Sequence, residues 1–197
     1  MNNMTLYKFV RGLASIIFKI IFPFEIRGDR ELIDYNNLVI CANHWSNWDP
    51  LFLSVVFKKP IHWLAKIELF KIPILGGFLK SLGVIAIDRD GNDVKAMKNA
   101  MRVLKNGKIL GVFIEGTRVK EVDYNNAKAG AIVIGDKTKS PLLPVYIKSD
   151  YKLFRKTKII IGEEFFIHKE ENLKLLSSDY ENYSIKLLET IYNLDEE

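Results

Sequence analysis

Apolar residues crowd the first two dozen positions, where Met4 to Phe24 carry only Lys8, Arg11 and Lys19 as charges. At 100° per residue these three and Ser15 fall within an arc of about 80°. Leu6, Phe9, Val10, Leu13, Ile16, Ile17, Ile20 and Ile21 cover the rest. The pattern predicts a wide apolar helix with one basic stripe, suited to the headgroup region of an anionic membrane. Three other assignments compete. A secretory signal is weakened by Pro23-Phe24-Glu25, where small residues should precede a cleavage site. A transmembrane span needs about 20 mostly uncharged residues, and this run has internal cations. A first helix packed on the core stays open.

Beyond Phe24 the pattern shortens and alternates. Glu25–Gly28 predicts an edge strand, Leu38–Ala42 a buried strand, and Pro50–Phe57 a short helix with proline at its first position. Ile61–Ala65 and Val84–Ile87 predict further buried strands. Between them Glu68–Gly83 is rich in apolar residues but carries Pro73 and Gly76-Gly77, so no element is assigned. Val94, Met97, Met101 and Leu104 recur at helical spacing across Asp93–Leu104, which Asn106-Gly107 ends. Ile109–Ile114 and Leu142–Ile147 predict strands, Ala129–Asp136 and Tyr180–Asn193 helices, and Ile159–Ile161 and Phe165–Ile167 shorter strands. This alternation predicts one α/β domain, residues 25–197, with a largely parallel or mixed central sheet flanked by helices and preceded by the helix of residues 1–24.

At 197 residues with 48% apolar content, the chain can bury a sizeable core, which excludes disorder. The net charge of +5 suits nucleic acid, an anionic membrane or a phosphorylated substrate without choosing among them. Cys41 is the single cysteine, so there is no internal disulfide and no cysteine-rich metal site, and the residue reads as a small buried hydrophobe.

The chemistry concentrates in Asn43-His-Trp-Ser-Asn-Trp-Asp-Pro50, which sets His44 five residues ahead of Asp49. On one helix that spacing separates side chains by about 140°. An irregular strand-to-helix turn is therefore expected, with Asp49 folded back on the imidazole to orient it as a general base. The bland alternative makes Asp49 a helix cap and His44 a loop residue. In an open α/β sheet ligands collect at the carboxyl ends of the strands. Four predicted strands end there in His44, Lys66, Arg89 and Glu115-Gly-Thr-Arg118. Gly116 permits a tight turn, Thr117 offers a hydroxyl, and the Arg118 guanidinium can grip two phosphate oxygens. Glu115 is expected to orient Arg118 or a substrate hydroxyl.

Together these segments resemble the glycerolipid acyltransferases typified by 1-acyl-sn-glycerol-3-phosphate acyltransferase. Asn43–Asp49 is similar to that family's first motif, Gly83-Val-Ile-Ala-Ile-Asp-Arg89 to its second, Phe113-Ile-Glu-Gly-Thr-Arg118 to its third and Leu143-Pro-Val-Tyr146 to its fourth. Ala65–Phe70 also resembles the segment between the first two. Ile114 stands where the family commonly has proline, and Ala127 precedes Lys128 where an aromatic is usual. The resemblance implies transfer of a fatty acyl group from acyl-CoA or acyl carrier protein to the free hydroxyl of 1-acyl-sn-glycerol 3-phosphate, with glycerol 3-phosphate or another lyso-lipid as the alternative acceptor, at the cytoplasmic face of a membrane. It needs neither a bound cofactor nor a metal. It implies His44 and Asp49 as the catalytic pair, with Arg89, Glu115, Gly116, Thr117, Arg118 and Lys66 around the acceptor phosphate. His62 and His168 are left structural. A non-catalytic protein that binds anionic lipid or nucleic acid through its charge is the rival from another class.

Overall fold

The computed structural model describes residues 3–29, 31, 35–88, 93–167 and 174–196. Seven strands form one sheet: β1 (Phe24–Gly28), β2 (Val39–Ala42), β3 (Ile61–Lys66), β4 (Ile85–Ile87), β5 (Ile109–Phe113), β6 (Leu142–Lys148) and β7 (Thr157–Ile161). Their spatial order is β1-β7-β6-β2-β5-β3-β4. Every neighbouring pair is parallel except β6 and β7, which are antiparallel. The mixed α/β sheet expected from the alternation is present. Because β2 lies at the centre, its four residues are buried on both faces, which is why Val39–Ala42 is an unbroken apolar run.

Helices cover both faces. α1 (Asn3–Ile21), α2 (Asp49–Val56) and α3 (Leu75–Ser81) lie to one side, where Phe18, Phe22, Phe52 and Leu53 meet Ile40, Trp63, Val145 and Ile159 from the strands. α4 (Val94–Lys105), α5 (Gly130–Thr138) and α6 (Ser177–Asn193) cover the other, closing Leu104, Ile132, Leu187 and Ile191 onto Val39, Cys41 and Leu110. Cys41 is buried and its thiol pKa is pushed well up by burial, so it is a packing residue. His62 is likewise structural, its Nδ1 lying 2.8 Å from the Gly83 carbonyl.

Two expectations about strands and helices need correction. Phe165–Ile167 forms no strand: Phe165 makes one isolated antiparallel bridge to Leu142. The unassigned Glu68–Gly83 contains a 3-10 turn, Ile67–Lys71, and then α3. A Cβ on Gly76 would stand 2.1 Å from the Phe70 carbonyl oxygen, so this glycine permits the close crossing of the two segments rather than breaking the helix.

α1 is amphipathic in an unexpected sense, because two opposite faces of it are apolar. Phe18 (3% exposed) and Phe22 are in the core, with the Phe18 ring edge-on to Phe52 at 4.8 Å. Burial of each contributes about 1.5–3 kcal/mol. Leu13, Ile16 (61% exposed), Ile17 and Ile20 face outward. Arg11 is not part of an outward stripe: its Nε donates to the Ser54 carbonyl (3.1 Å) and its Nη2 to that of Val55 (3.3 Å). It thereby satisfies carbonyls at the end of α2, where a cation also complements the helix dipole. The core-packing assignment thus holds for one face. No helix among the described residues is long and apolar enough to cross a membrane.

Candidate active site

The site begins where β2 stops. Asn43, fully buried, replaces backbone pairing with its side chain: its Nδ2 donates to the Ile147 carbonyl (3.0 Å) and its Oδ1 accepts from Ile147 N–H (2.8 Å). The amide closes the ladder to β6 and lets the main chain leave the sheet at His44. The next residues turn tightly, and α2 opens at Asp49, one residue earlier than its proline suggested.

That turn brings the pair together. His44 Nδ1 lies 2.9 Å from Asp49 Oδ2, and the same oxygen accepts Trp45 N–H (2.8 Å) and Ser46 N–H (2.7 Å). Asp49 Oδ1 accepts the Tyr151 hydroxyl (2.7 Å). A fully buried carboxylate at the start of a helix is thus surrounded by donors and the positive end of the helix dipole. The imidazole stacks on Phe113 with centroids 4.0 Å apart and planes 13° apart. Trp63 stacks on the other face of Phe113 at 4.9 Å, and its indole N–H reaches Ser54 Oγ. With Nδ1 committed to Asp49 and the ring plane set by Phe113, Nε2 is the nitrogen free for chemistry, and His44 forms part of the wall of a cavity of about 630 Å³.

The other predicted residues divide into two groups. Lys66, Thr117 and Arg118 line the same cavity and are exposed. Among the described residues, the Thr117 hydroxyl and Arg118 have no hydrogen-bond or ion-pair partner, and Lys66 has only Glu68 at 3.8 Å. Leu69, Leu75, Phe78 and Leu82 supply apolar wall. Arg89 lies outside the described residues.

Glu115 departs from its expected place beside Arg118 or the phosphate. It is turned inward, where Oε2 accepts His44 N–H (2.6 Å) and Oε1 accepts the Tyr192 hydroxyl (2.5 Å). Both oxygens are therefore engaged, one holding the backbone of His44 and the other the hydroxyl of Tyr192. Burial raises its pKa to about 7; the bonds from Tyr192 and His44 oppose that shift, and the Asp49 charge adds to it. Gly116 is a turn residue at φ +71°, and a Cβ there would meet Lys128 Cγ at 2.9 Å. The Lys128 side chain therefore packs over the third motif.

The tyrosines were missed by sequence. Tyr151 lies between β6 and β7, and Tyr192 on α6 also accepts the Trp45 indole N–H at 3.1 Å. Both hydroxyls are kept protonated, pushed up first by burial, then for Tyr151 by the Asp49 charge and for Tyr192 by its bond to Glu115. No local pattern marks either residue.

Comparison with known proteins adds a second line of observation. The sequence pattern of the family described as Acyltransferase matches residues 23–148. A Bacillus subtilis 1-acyl-sn-glycerol-3-phosphate acyltransferase is 33% identical over 165 residues, covering 80% of this chain and 81% of that protein. A Borreliella burgdorferi protein of the same name is 31% identical, covering 84% and 72%. The crystal structure of the 1-acyl-sn-glycerophosphate acyltransferase from Thermotoga maritima superposes with a TM-score of 0.71 at 22% identity, over 98% of this chain and 80% of that one. It has the same fold.

Proposed function

Because the chain belongs to the acyltransferase family, we propose that it transfers a fatty acyl group from a thioester, acyl-CoA or acyl carrier protein, to the free hydroxyl of 1-acyl-sn-glycerol 3-phosphate. The product is phosphatidic acid. The relatives' names supply the acceptor, and one observation carries the mechanism: His44 Nδ1 is tied to Asp49 while the ring borders a cavity with both cations and an apolar wall.

His44 Nε2 takes the proton of the acceptor hydroxyl as the oxygen attacks the thioester carbonyl. The imidazolium that forms is stabilised by Asp49 Oδ2. Collapse of the tetrahedral intermediate expels a thiolate, a good leaving group because thiols ionise near pH 8–9, so no covalent enzyme intermediate is required. Base catalysis of this kind is worth roughly 10²- to 10⁴-fold. Arg118 and Lys66, with the Thr117 hydroxyl, hold the acceptor phosphate, and Arg89 is assigned there by its motif alone. Leu69, Leu75 and Phe78 take an acyl chain. The test is purified protein with lysophosphatidate and a panel of acyl thioesters, read by thiol release and lipid mass. Phosphatidic acid is expected; acylation of glycerol 3-phosphate alone, or no thiol release, sinks the assignment.

The acceptor is a lipid, and the outward face of α1 is where we place contact with the bilayer. Leu13, Ile16, Ile17 and Ile20 are exposed there, and Phe154, whose N–H bonds the Ile21 carbonyl at 2.7 Å, carries a second exposed apolar loop to the end of α1. Lys152 and Arg155 flank that loop. Exposed apolar area rimmed by cations suits insertion among anionic headgroups. Replacing Ile16 and Ile20 together by Ser is expected to weaken co-sedimentation with phosphatidylglycerol vesicles at least about tenfold. Melting and turnover on detergent-dispersed substrate should be unchanged. Undiminished vesicle binding would remove α1 from the contact.

A further inference from the structure

We propose that Tyr151 is a positioning residue of the reaction centre, holding the Asp49 carboxylate from the side opposite His44. Among the described residues, the three other donors to Asp49 all converge on Oδ2, and Oδ1 has Tyr151 alone. A carboxylate held only at one oxygen can rotate about its Cβ–Cγ bond and carry Oδ2 out of line with the imidazole. The Tyr151 hydroxyl, at 2.7 Å, fixes that rotation.

The segment around Tyr151 is constrained in a way that fits this task. Tyr151 sits at φ +54°, a conformation that a bulky side chain adopts only when its surroundings impose it. Its N–H donates to Ser149 Oγ (3.1 Å), Ser149 Oγ pairs with Thr157 Oγ1 on β7 (2.7 Å), and the ring packs 6.4 Å from Phe52 of α2. The chain is thus bent so that a residue 102 positions from Asp49 delivers a hydroxyl to it. Tyr151 lies beyond the region matched to the family, residues 23–148, so the family motifs do not assign it. The hydroxyl touches neither substrate nor the proton in flight; it acts through Asp49.

The kinetic arm rests on the acyl-transfer reading above, and a spectroscopic arm does not. Tyr151→Phe keeps the ring and its packing and deletes the bond. It should lower kcat about 10- to 100-fold with the acceptor KM unchanged, the scale of effect expected for a misplaced catalytic group. In an Asp49→Ala background the same change should cost nothing further, because its target is gone. Independently of turnover, the Nδ1 proton resonance of His44 should shift or broaden in Tyr151→Phe while the methyl spectrum is retained. Ser149→Ala, which frees the Tyr151 backbone and keeps the hydroxyl, should give a smaller fall in kcat and serves if Tyr151→Phe folds poorly. Full kcat with an unmoved His44 resonance, or an equal loss in the Asp49→Ala background, would overturn the proposal. A protein that shows the resonance change but no acyl transfer would instead overturn the reaction assigned above.

Discussion

His44 and Asp49 are buried and tied down by Glu115, Val119, Trp45, Ser46 and Tyr151, whereas Lys66, Thr117 and Arg118, on the wall of the same cavity, are exposed and nearly free of partners. The contrast follows from what each group is assigned to do. A base must meet its proton within hydrogen-bond distance, and a small misplacement can cost 10²-fold, so its position is fixed in advance. A cation attracts a phosphate over several ångströms, and a long side chain can close on it after arrival. One half of the site is therefore rigid scaffold and the other is adjustable reach.

The largest effect that tests this division is at the base. His44→Ala should lower turnover by roughly 10²- to 10⁴-fold with acceptor binding and melting nearly unchanged, and Asp49→Asn should fall in the same range. Steady-state kinetics beside thermal melts check both. Near-normal turnover in His44→Ala would break the comparison at its rigid end.

Next in size is the pH dependence set by Glu115. Its folded pKa is raised, so the folded state binds the proton more tightly than the unfolded chain does. The stability this contributes is complete below the unfolded value of 4.5 and is lost as pH rises to about 7. The loss amounts to at most about 3 kcal/mol. Denaturant titrations of the protein and of Glu115→Gln between these limits should converge at low pH, where the neutral amide mimics the protonated carboxyl, and separate as pH rises to about 7, the parent protein falling below the variant, if the carboxyl is held as described. Parallel curves would place Glu115 in solvent, on the adjustable side.

The smallest effect belongs to the rim. Arg118→Lys keeps the charge and loses the planar fork, so the efficiency with the phosphate acceptor should fall about tenfold with stability unchanged. A fall as steep as that of His44→Ala would show that the rim, too, is fixed geometry.

Much of the rigid half could be read from the chain. A four-residue apolar run at the centre of the sheet, followed at once by His44 and Asp49, carries its own structural instruction, because a strand buried on both faces has to end where polar residues begin. The ends of β3, β4 and β5 were legible because each apolar run gives way to polar residues. What failed was the direction in which side chains point. Glu115 reads as a rim residue because it adjoins Gly116 and Arg118, yet its partners are His44 and Tyr192, 71 and 77 positions away. Tyr151 has no periodic or motif signal at all. α1 is apolar over most of its circumference, so periodicity could not say which face turns inward; Phe52 and the carbonyls of Ser54 and Val55 decide that. α3 was hidden by two adjacent glycines, of which Gly76 serves a close crossing.

α2 couples these regions. It is eight residues long, a rod of about 12 Å, with Asp49 as its first residue and the Arg11 guanidinium gripping carbonyls near its other end. The helix that α1 grips at one end thus presents, at its other end, the carboxylate that faces His44.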